Sequence, residues 1–293
     1  VKMPGLRLPR PAPIIAADIA ATLDGVTMEE RTMFEEFDLT GRVALVTGGG
    51  TGIGRSTALL LASRGADVAV AGRKRPPLDA VVAEVEALGR KALAVEADVR
   101  ELAPVQALVE TVAGHFGRLD VLVNNAGGAH GHVGIAKMDP AKWDRDIALN
   151  LNSAMYASQA AFPYLRKVKG AIVNISSVAG MHGTQGVAAY SAAKAGVQMF
   201  TRVAAAEWGP AGVRVNAVAP GMTATEKARA GWEKTGFDAD SAAHVFPLRR
   251  YGLPEEVAQL VAFLVSDAAS YITGEAIAVA GGPVLGGMVK VDD

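Results

Sequence analysis

Short, nearly unbroken apolar runs rich in β-branched residues alternate along this chain with longer, alanine-rich stretches whose apolar positions recur at helical spacing. The runs are VALVT at 43–47, VAVAG at 68–72, ALAVEAD at 92–98, VLVNN at 121–125, AIVNIS at 171–176, RVNAVAP at 214–220 and AIAVAGG at 276–282. A run without polar alternation reads as a strand buried on both faces, and regular strand and helix alternation reads as a mainly parallel sheet. Right-handed crossovers then put helices on both faces, which predicts an α/β, doubly wound Rossmann fold around a seven-stranded, mainly parallel sheet. Ligands bind such sheets outside the carboxyl ends of the strands. Here those ends are polar or glycine-rich: TGGG, GRK, ADV, NNAG, ISS and APG.

Two regions break the alternation. Residues 1–38 read as an N-terminal extension, proline-rich at first and then acidic, with MEERTMFEEF able to form one short amphipathic helix. Residues 39–287 read as a single catalytic domain, and 288–293 as a C-terminal tail. Within the domain, residues 222–250 separate the sixth run from a helix expected to start near Pro254, and they carry Trp232, Phe237 and Phe246. An insertion of that length after a strand end reads as a lid or binding loop.

Composition narrows the partners. The chain has 293 residues, half of them hydrophobic, so it can bury a large core. Its formal net charge is −1, which supplies no bulk field to recruit nucleic acid or an anionic membrane. The expected partner is a small molecule. With no cysteine there is no disulfide, thiolate metal site or cysteine nucleophile, and a cytoplasmic setting is the default. The apolar stretch PAPIIAADIA is too short to span a bilayer and contains Asp18.

The turn TGGGTGIGR, residues 47–55, follows the first run and opens straight into an apolar helical stretch. Glycines let a backbone approach a pyrophosphate, and the free N–H groups and dipole at a helix start favour an anion. Gly48, Gly50, Thr51, Gly52, Ile53 and Gly54 are therefore candidate dinucleotide contacts, although a flexible turn has the same composition. The second run ends in GRK, with Gly72 where a carboxylate would meet the ribose hydroxyls of an unphosphorylated dinucleotide. Arg73 and Lys74 follow, and a guanidinium suits a 2′-phosphate, so NADP(H) is the preferred cofactor and NAD(H) also usable. The bland alternative is a solvated loop pair. Asp98 is placed to accept from the adenine amino group, with the Val99 backbone beside it. Asn124, Asn125, Ala126 and Gly127 follow the fourth run, where close packing against a cofactor needs small residues.

Tyr190 and Lys194, in YSAAK, lie four residues apart and so on one helix face. A phenol needs a neighbouring cation to exchange protons near neutral pH, and Lys194 is expected to lower the pKa of Tyr190. Together, TGGGTGIG, NNAG, the serine of NISS, YSAAK and RVNAVAPG make the chain resemble the short-chain dehydrogenase/reductase family over about residues 38–286. The resemblance implies a catalytic tetrad of Asn150, Ser177, Tyr190 and Lys194. Tyr190 would be the acid/base, Ser177 would polarise the reacting oxygen, Lys194 would also hold the nicotinamide ribose, and Asn150 would anchor a water. It further places Pro220 and Gly221 at the cofactor, with Thr223 and Thr225 against its carboxamide and phosphates, where local capping is the other reading.

The resemblance implies hydride transfer between NADP(H) and a carbonyl or secondary alcohol, nearest to the 3-oxoacyl-thioester reductases. A 2,4-dienoyl-CoA or enoyl-thioester reductase is an alternative, although 2,4-dienoyl-CoA reductases typically lack the tyrosine of YxxxK that is present here. A non-catalytic nucleotide-binding regulator would keep the fold and lose a tetrad member, and all four are present. The resemblance also implies that helical segments 141–168 and 188–208 pair across a two-fold axis, giving a homodimer or D₂ homotetramer. His130, His132 and His182 read as surface-loop residues, and no metal site is expected.

Overall fold

The computed structural model describes residues 35–129 and 131–282. The extension before residue 35 with most of its expected helix, His130 and the 288–293 tail lie outside the described residues. From Phe37 the described residues form one compact unit.

Seven strands build its sheet: β1 Val43–Thr47, β2 Asp67–Gly72, β3 Ala92–Glu96, β4 Val121–Asn124, β5 Ala171–Ile175, β6 Arg214–Pro220 and β7 Ala276–Val279. Their order is β3-β2-β1-β4-β5-β6-β7 and every pairing is parallel. Helices α1 Gly52–Ser63, α2 Arg75–Ala87 and α9 Pro254–Val265 cover one face. The other face is covered by α3 Leu102–Phe116, α5 Ser153–Val168 and α6 Ala188–Trp208. Helices α4 Pro140–Ile147, α7 Glu226–Thr235 and α8 Ala239–Ala243 stand at the rim.

The strand period explains the two cores. In β1, Ala44 and Val46 point to the α1/α9 side, whereas Val43 and Leu45 pack with Val109, Leu122 and Ile172 on the α3/α5 side. Every residue of β1, β4 and β5 is buried, which is why these strands read as unbroken apolar runs. Strand order reverses between β1 and β4, where the connections leave in opposite directions and open a crevice. Polar strand ends such as Ala97–Asp98 and Asn125 leave the ladder to line that end of the sheet.

Segment 222–250 is more ordered than a loop. Its Thr225 and Asp238 side chains cap α7 and α8 by accepting from Ala228 N and Ser241 N. Its base is closed by backbone bonds from Ala224 N to Gly252 O and from Gly252 N to Met222 O, both 2.9 Å. Trp232 packs against Phe237 and Tyr251 at ring centroid distances of 6.3 and 5.5 Å. The segment is thus a helical flap whose base is pinned at 222–224 and 252.

Candidate active site

Strand β5 delivers Ser177 to the carboxyl edge of the sheet, and α6 lays Tyr190 and Lys194 beside it. A 3₁₀ turn at Val178–Gly180 follows the serine and presses on α6 so closely that a Cβ on Gly180 would lie 2.6 Å from the Lys194 carbonyl carbon. Ser177 Oγ accepts from Ala179 N at 3.1 Å, and its hydroxyl lies near enough to the Tyr190 phenol to favour the phenolate. Lys194 is buried, donates from Nζ to Ile175 O at 2.7 Å, and sits 5.6 Å from the centroid of the Tyr190 ring.

The expected electrostatic effect on Tyr190 runs the other way in this state. Burial pushes the phenol above its ordinary pKa, and the Ser177 hydrogen bond pulls it only part of the way back. Lys194 is itself lowered to about 8 by burial, so desolvation outweighs mutual charge effects here. Tyr190 is therefore a protonated phenol, ready to donate.

Gln198, one turn beyond Lys194, was invisible as a site residue. It is buried, and its Nε2 donates to Ser176 Oγ at 2.9 Å and to Ser177 O at 3.1 Å. Ser176 Oγ in turn donates to Lys194 O at 2.9 Å. These bonds tie the end of β5 to the first half of α6 and so fix the serine relative to the tyrosine and lysine.

Asn150 lies in a π-helical turn, Ala148–Asn152, between α4 and α5. Its Oδ1 accepts from Gly128 N at 2.8 Å, while Nδ2 donates to Gly128 O at 3.1 Å and to Asp146 O at 3.0 Å. Both amide hydrogens are engaged, leaving one Oδ1 lone pair for a water. Gly127 is squeezed between the site residues: a Cβ there would stand 2.7 Å from Asn150 Oδ1 and 3.2 Å from Lys194 Nζ. Asn124 points away from the crevice. Its Nδ2 donates to Ser158 Oγ at 2.9 Å and Asn174 Oδ1 at 2.8 Å, in a buried network that pins β4 to β5 and α5.

The glycine turn is a close-packed cradle. A Cβ on Gly54 would fall 2.2 Å from Gly48 O, and Gly48 itself has a φ of 63°. Asn125 Nδ2 donates to Thr47 O at 2.9 Å and Gly48 O at 3.1 Å, and Thr47 Oγ1 accepts from both Asn125 N and Ala126 N. Thr47, the first residue of the TGGGTGIGR turn, therefore locks the turn to the β4 loop. Gly50 packs near Pro77, Ile53 leans on the core, and Thr51 precedes α1 without a side-chain cap bond. This donor-rich, side-chain-free surface fits a dinucleotide pyrophosphate.

At the β2 end Arg73 and Lys74 are exposed, and Gly72 has room for a Cβ, with Leu78 Cδ2 nearest at 3.4 Å. Asp98 is gripped by Arg100, whose Nε lies 2.9 Å from Oδ1, and this bond, with Arg73 adding its field, holds the carboxyl below its ordinary pKa. Val99 is buried. Pro220 ends β6, and Gly221 N donates to Val279 O at 2.9 Å. Thr223 Oγ1 donates to Gly221 O at 3.2 Å, and Thr225 packs its methyl 3.1 Å from the Cβ position of Gly52. Both hydroxyls thus serve the local backbone, while Thr225 also abuts the glycine turn. His132 and His182 are exposed at the rim.

An α/β sheet with a glycine cradle and a phenol, hydroxyl and ammonium cluster meeting at its switch point has the architecture of a dinucleotide-linked oxidoreductase. Residues 48–283 match the sequence model of the family described as enoyl-(acyl carrier protein) reductase. The 3-oxoacyl-[acyl-carrier-protein] reductase of Synechocystis is 45% identical over 84% of this chain and 98% of that protein. The cis-4-hydroxycyclohexanecarboxylate dehydrogenase of Sinomonas cyclohexanicum is 42% identical over 82% of this chain and 96% of its own. The crystal structure of levodione reductase superposes with a TM-score of 0.79 at 34% identity, covering 83% of this chain and 97% of that one. The chain belongs to the short-chain dehydrogenase/reductase family. It is accordingly an oxidoreductase, and membership implies use of a nicotinamide dinucleotide. No helix among the described residues is long and apolar enough to cross a membrane.

Proposed function

We propose that this protein interconverts a ketone and a secondary alcohol with NADP(H), using Tyr190 as proton donor and acceptor. The observation that carries the reading is the convergence of Ser177, the Tyr190 phenol and a buried Lys194 anchored on Ile175 O, at the strand ends adjoining the glycine cradle. When bound, the dinucleotide supplies or accepts the hydride. Gly48, Gly50, Thr51, Gly52, Ile53 and Gly54 would hold its pyrophosphate, with Asn125, Ala126, Gly127, Pro220, Gly221, Thr223 and Thr225 closing around the rest. Asp98 and Val99 would line the adenine side, and Arg73 with Lys74 would meet a 2′-phosphate.

Tyr190 is kept protonated by burial, so it hands its proton to a carbonyl oxygen as negative charge develops there. Ser177 keeps that oxygen within reach and shares the charge through its own O–H. Lys194 then stabilises the phenolate left behind, and Asn150 fixes the Gly127–Gly128 backbone that borders the reacting atoms. A 3-oxoacyl thioester is the substrate class favoured by the relatives named as 3-oxoacyl-[acyl-carrier-protein] reductases. The test is NADPH oxidation by the purified chain against acyl thioesters, cyclic ketones and quinones. Turnover of a ketone or thioester is expected, and binding of NADPH with no carbonyl reduced across the panel would leave the regulator reading in its place.

We also infer a homodimer or homotetramer built on α5 and α6. Met199 and Val203, four residues apart on α6, are 54% and 48% exposed, an apolar stripe that suits a second helix. Light scattering should give a dimer or tetramer mass, and a monomer mass at all concentrations would remove the idea.

A further inference from the structure

Glu226, the first residue of α7, reaches from the flap to the glycine cradle. Its Oε2 accepts a hydrogen bond from Gly52 N at 3.0 Å, at the start of α1. Helix α1 has no acidic residue in its own first turn and no side-chain cap from Thr51, so Glu226 is the anion that answers its dipole. The contact is fixed from both sides. Thr225 packs on Gly52, and the Thr225 hydroxyl caps α7 by accepting from Ala228 N at 3.1 Å. Glu226 is exposed and has no ion-pair partner among the described residues, so no basic side chain competes for it.

We propose that Glu226 is a built-in occupant of the phosphate cradle, a carboxylate that latches the flap onto the cofactor site until a dinucleotide displaces it. The inference rests on the dinucleotide reading above and adds a regulation of that site. One donor end cannot hold a carboxylate and a pyrophosphate together, because the like charges repel at contact distance. Cofactor entry must therefore break the Glu226–Gly52 bond and release the start of α7. The base bonds at Ala224 and Gly252 lie outside the latch and can stay made. Release also frees Lys227, whose Nζ stands 3.3 Å from the Cβ position of Gly128, the residue whose N–H and carbonyl are both held by Asn150. Occupancy of the phosphate end is in this way reported to the catalytic end.

The test compares full-length wild type, Glu226→Gln and Glu226→Ala by calorimetric titration with NADPH. Removing a charge-assisted competitor held by an exposed side chain from the Gly52 N–H should tighten binding about three- to tenfold in Glu226→Ala, with Glu226→Gln in between. In parallel, amide exchange of the cofactor-free proteins should rise at 52–56 and 226–235 in the variants, with the rest of the sheet unchanged. Equal affinities in all three proteins, or unchanged exchange at both segments, would overturn the latch alone. Absence of NADPH binding in all three would overturn the dinucleotide reading and the latch with it. Since Glu226→Gln preserves side-chain size, a misfolded alanine variant still leaves a decisive comparison.

Discussion

Tyr190→Phe is expected to lower turnover by about a hundred- to ten-thousandfold, the usual worth of a positioned acid/base, while leaving NADPH affinity nearly unchanged. The ring remains in place on α6, so the cradle is not disturbed. What disappears is the exchangeable proton and the partner of the Ser177 hydroxyl. Ser177 cannot replace it: its Oγ is already turned toward Ala179 N, and an alcohol is a far weaker acid than a phenol. Lys194 cannot replace it either, because its Nζ is anchored on Ile175 O behind the ring. Steady-state rates on the substrate found by the panel, paired with a binding titration, give both quantities. Activity near that of the wild type would remove Tyr190 from the acid/base role.

The second large effect concerns cofactor choice. A wild-type preference for NADPH over NADH of roughly ten- to a thousandfold is expected from paired, charge-assisted bonds between Arg73 and a 2′-phosphate, discounted for solvent. Arg73 is exposed, yet its field reaches Asp98 across the β2 and β3 ends, so it stands at the crevice edge and not on a remote surface. Gly72→Asp combined with Arg73→Ala should reverse the preference, since the new carboxylate accepts from ribose hydroxyls and repels phosphate. The added Cβ meets nothing closer than Leu78 Cδ2 at 3.4 Å, so the fold should tolerate it. The ratio of kcat/KM for the two cofactors in both proteins decides. Equal use by the wild type, or no change on substitution, would withdraw the NADP(H) assignment.

The sheet was legible because its strands are buried on both faces and leave no polar alternation to confuse with a surface helix. Six observed strands fall within two residues of the apolar runs, β7 stops at Val279, three residues short of its run, and α9 starts at Pro254 as its proline suggests. The crevice was legible because strand-end composition is read directly. Residues that act through others were not. Gln198 and Ser176 look like ordinary polar positions in a helix and a strand end, and only the approach of α6 to β5 turns them into struts. Thr47 reads as the strand end that opens the glycine turn, and its bonds to the β4 loop join residues 78 and 79 positions apart in sequence, which no local pattern reveals. Thr225 caps its helix as the capping alternative had it, whereas the cap signal of Asp238 was obscured by the length of the insertion. The direction of the Tyr190 shift could not be read from spacing, because it is decided by burial and not by the neighbouring lysine.

Lys194 has one further consequence. Burial lowers it from 10.5 to about 8, with a single carbonyl as its hydrogen-bond partner among the described residues. The unfolded chain therefore binds this proton more tightly than the folded one, so the residue opposes folding in full below about pH 8, and the opposition fades as pH rises toward 10.5. Its size is on the order of 3 kcal/mol, a large fraction of the stability of any domain. A breeding programme that ranked variants of this protein by heat resistance alone would thus favour exchange of Lys194 for an apolar residue of similar length. It would recover a hardier shell from which the proposed chemistry had gone, so thermal selection of this scaffold has to be coupled to a screen for turnover.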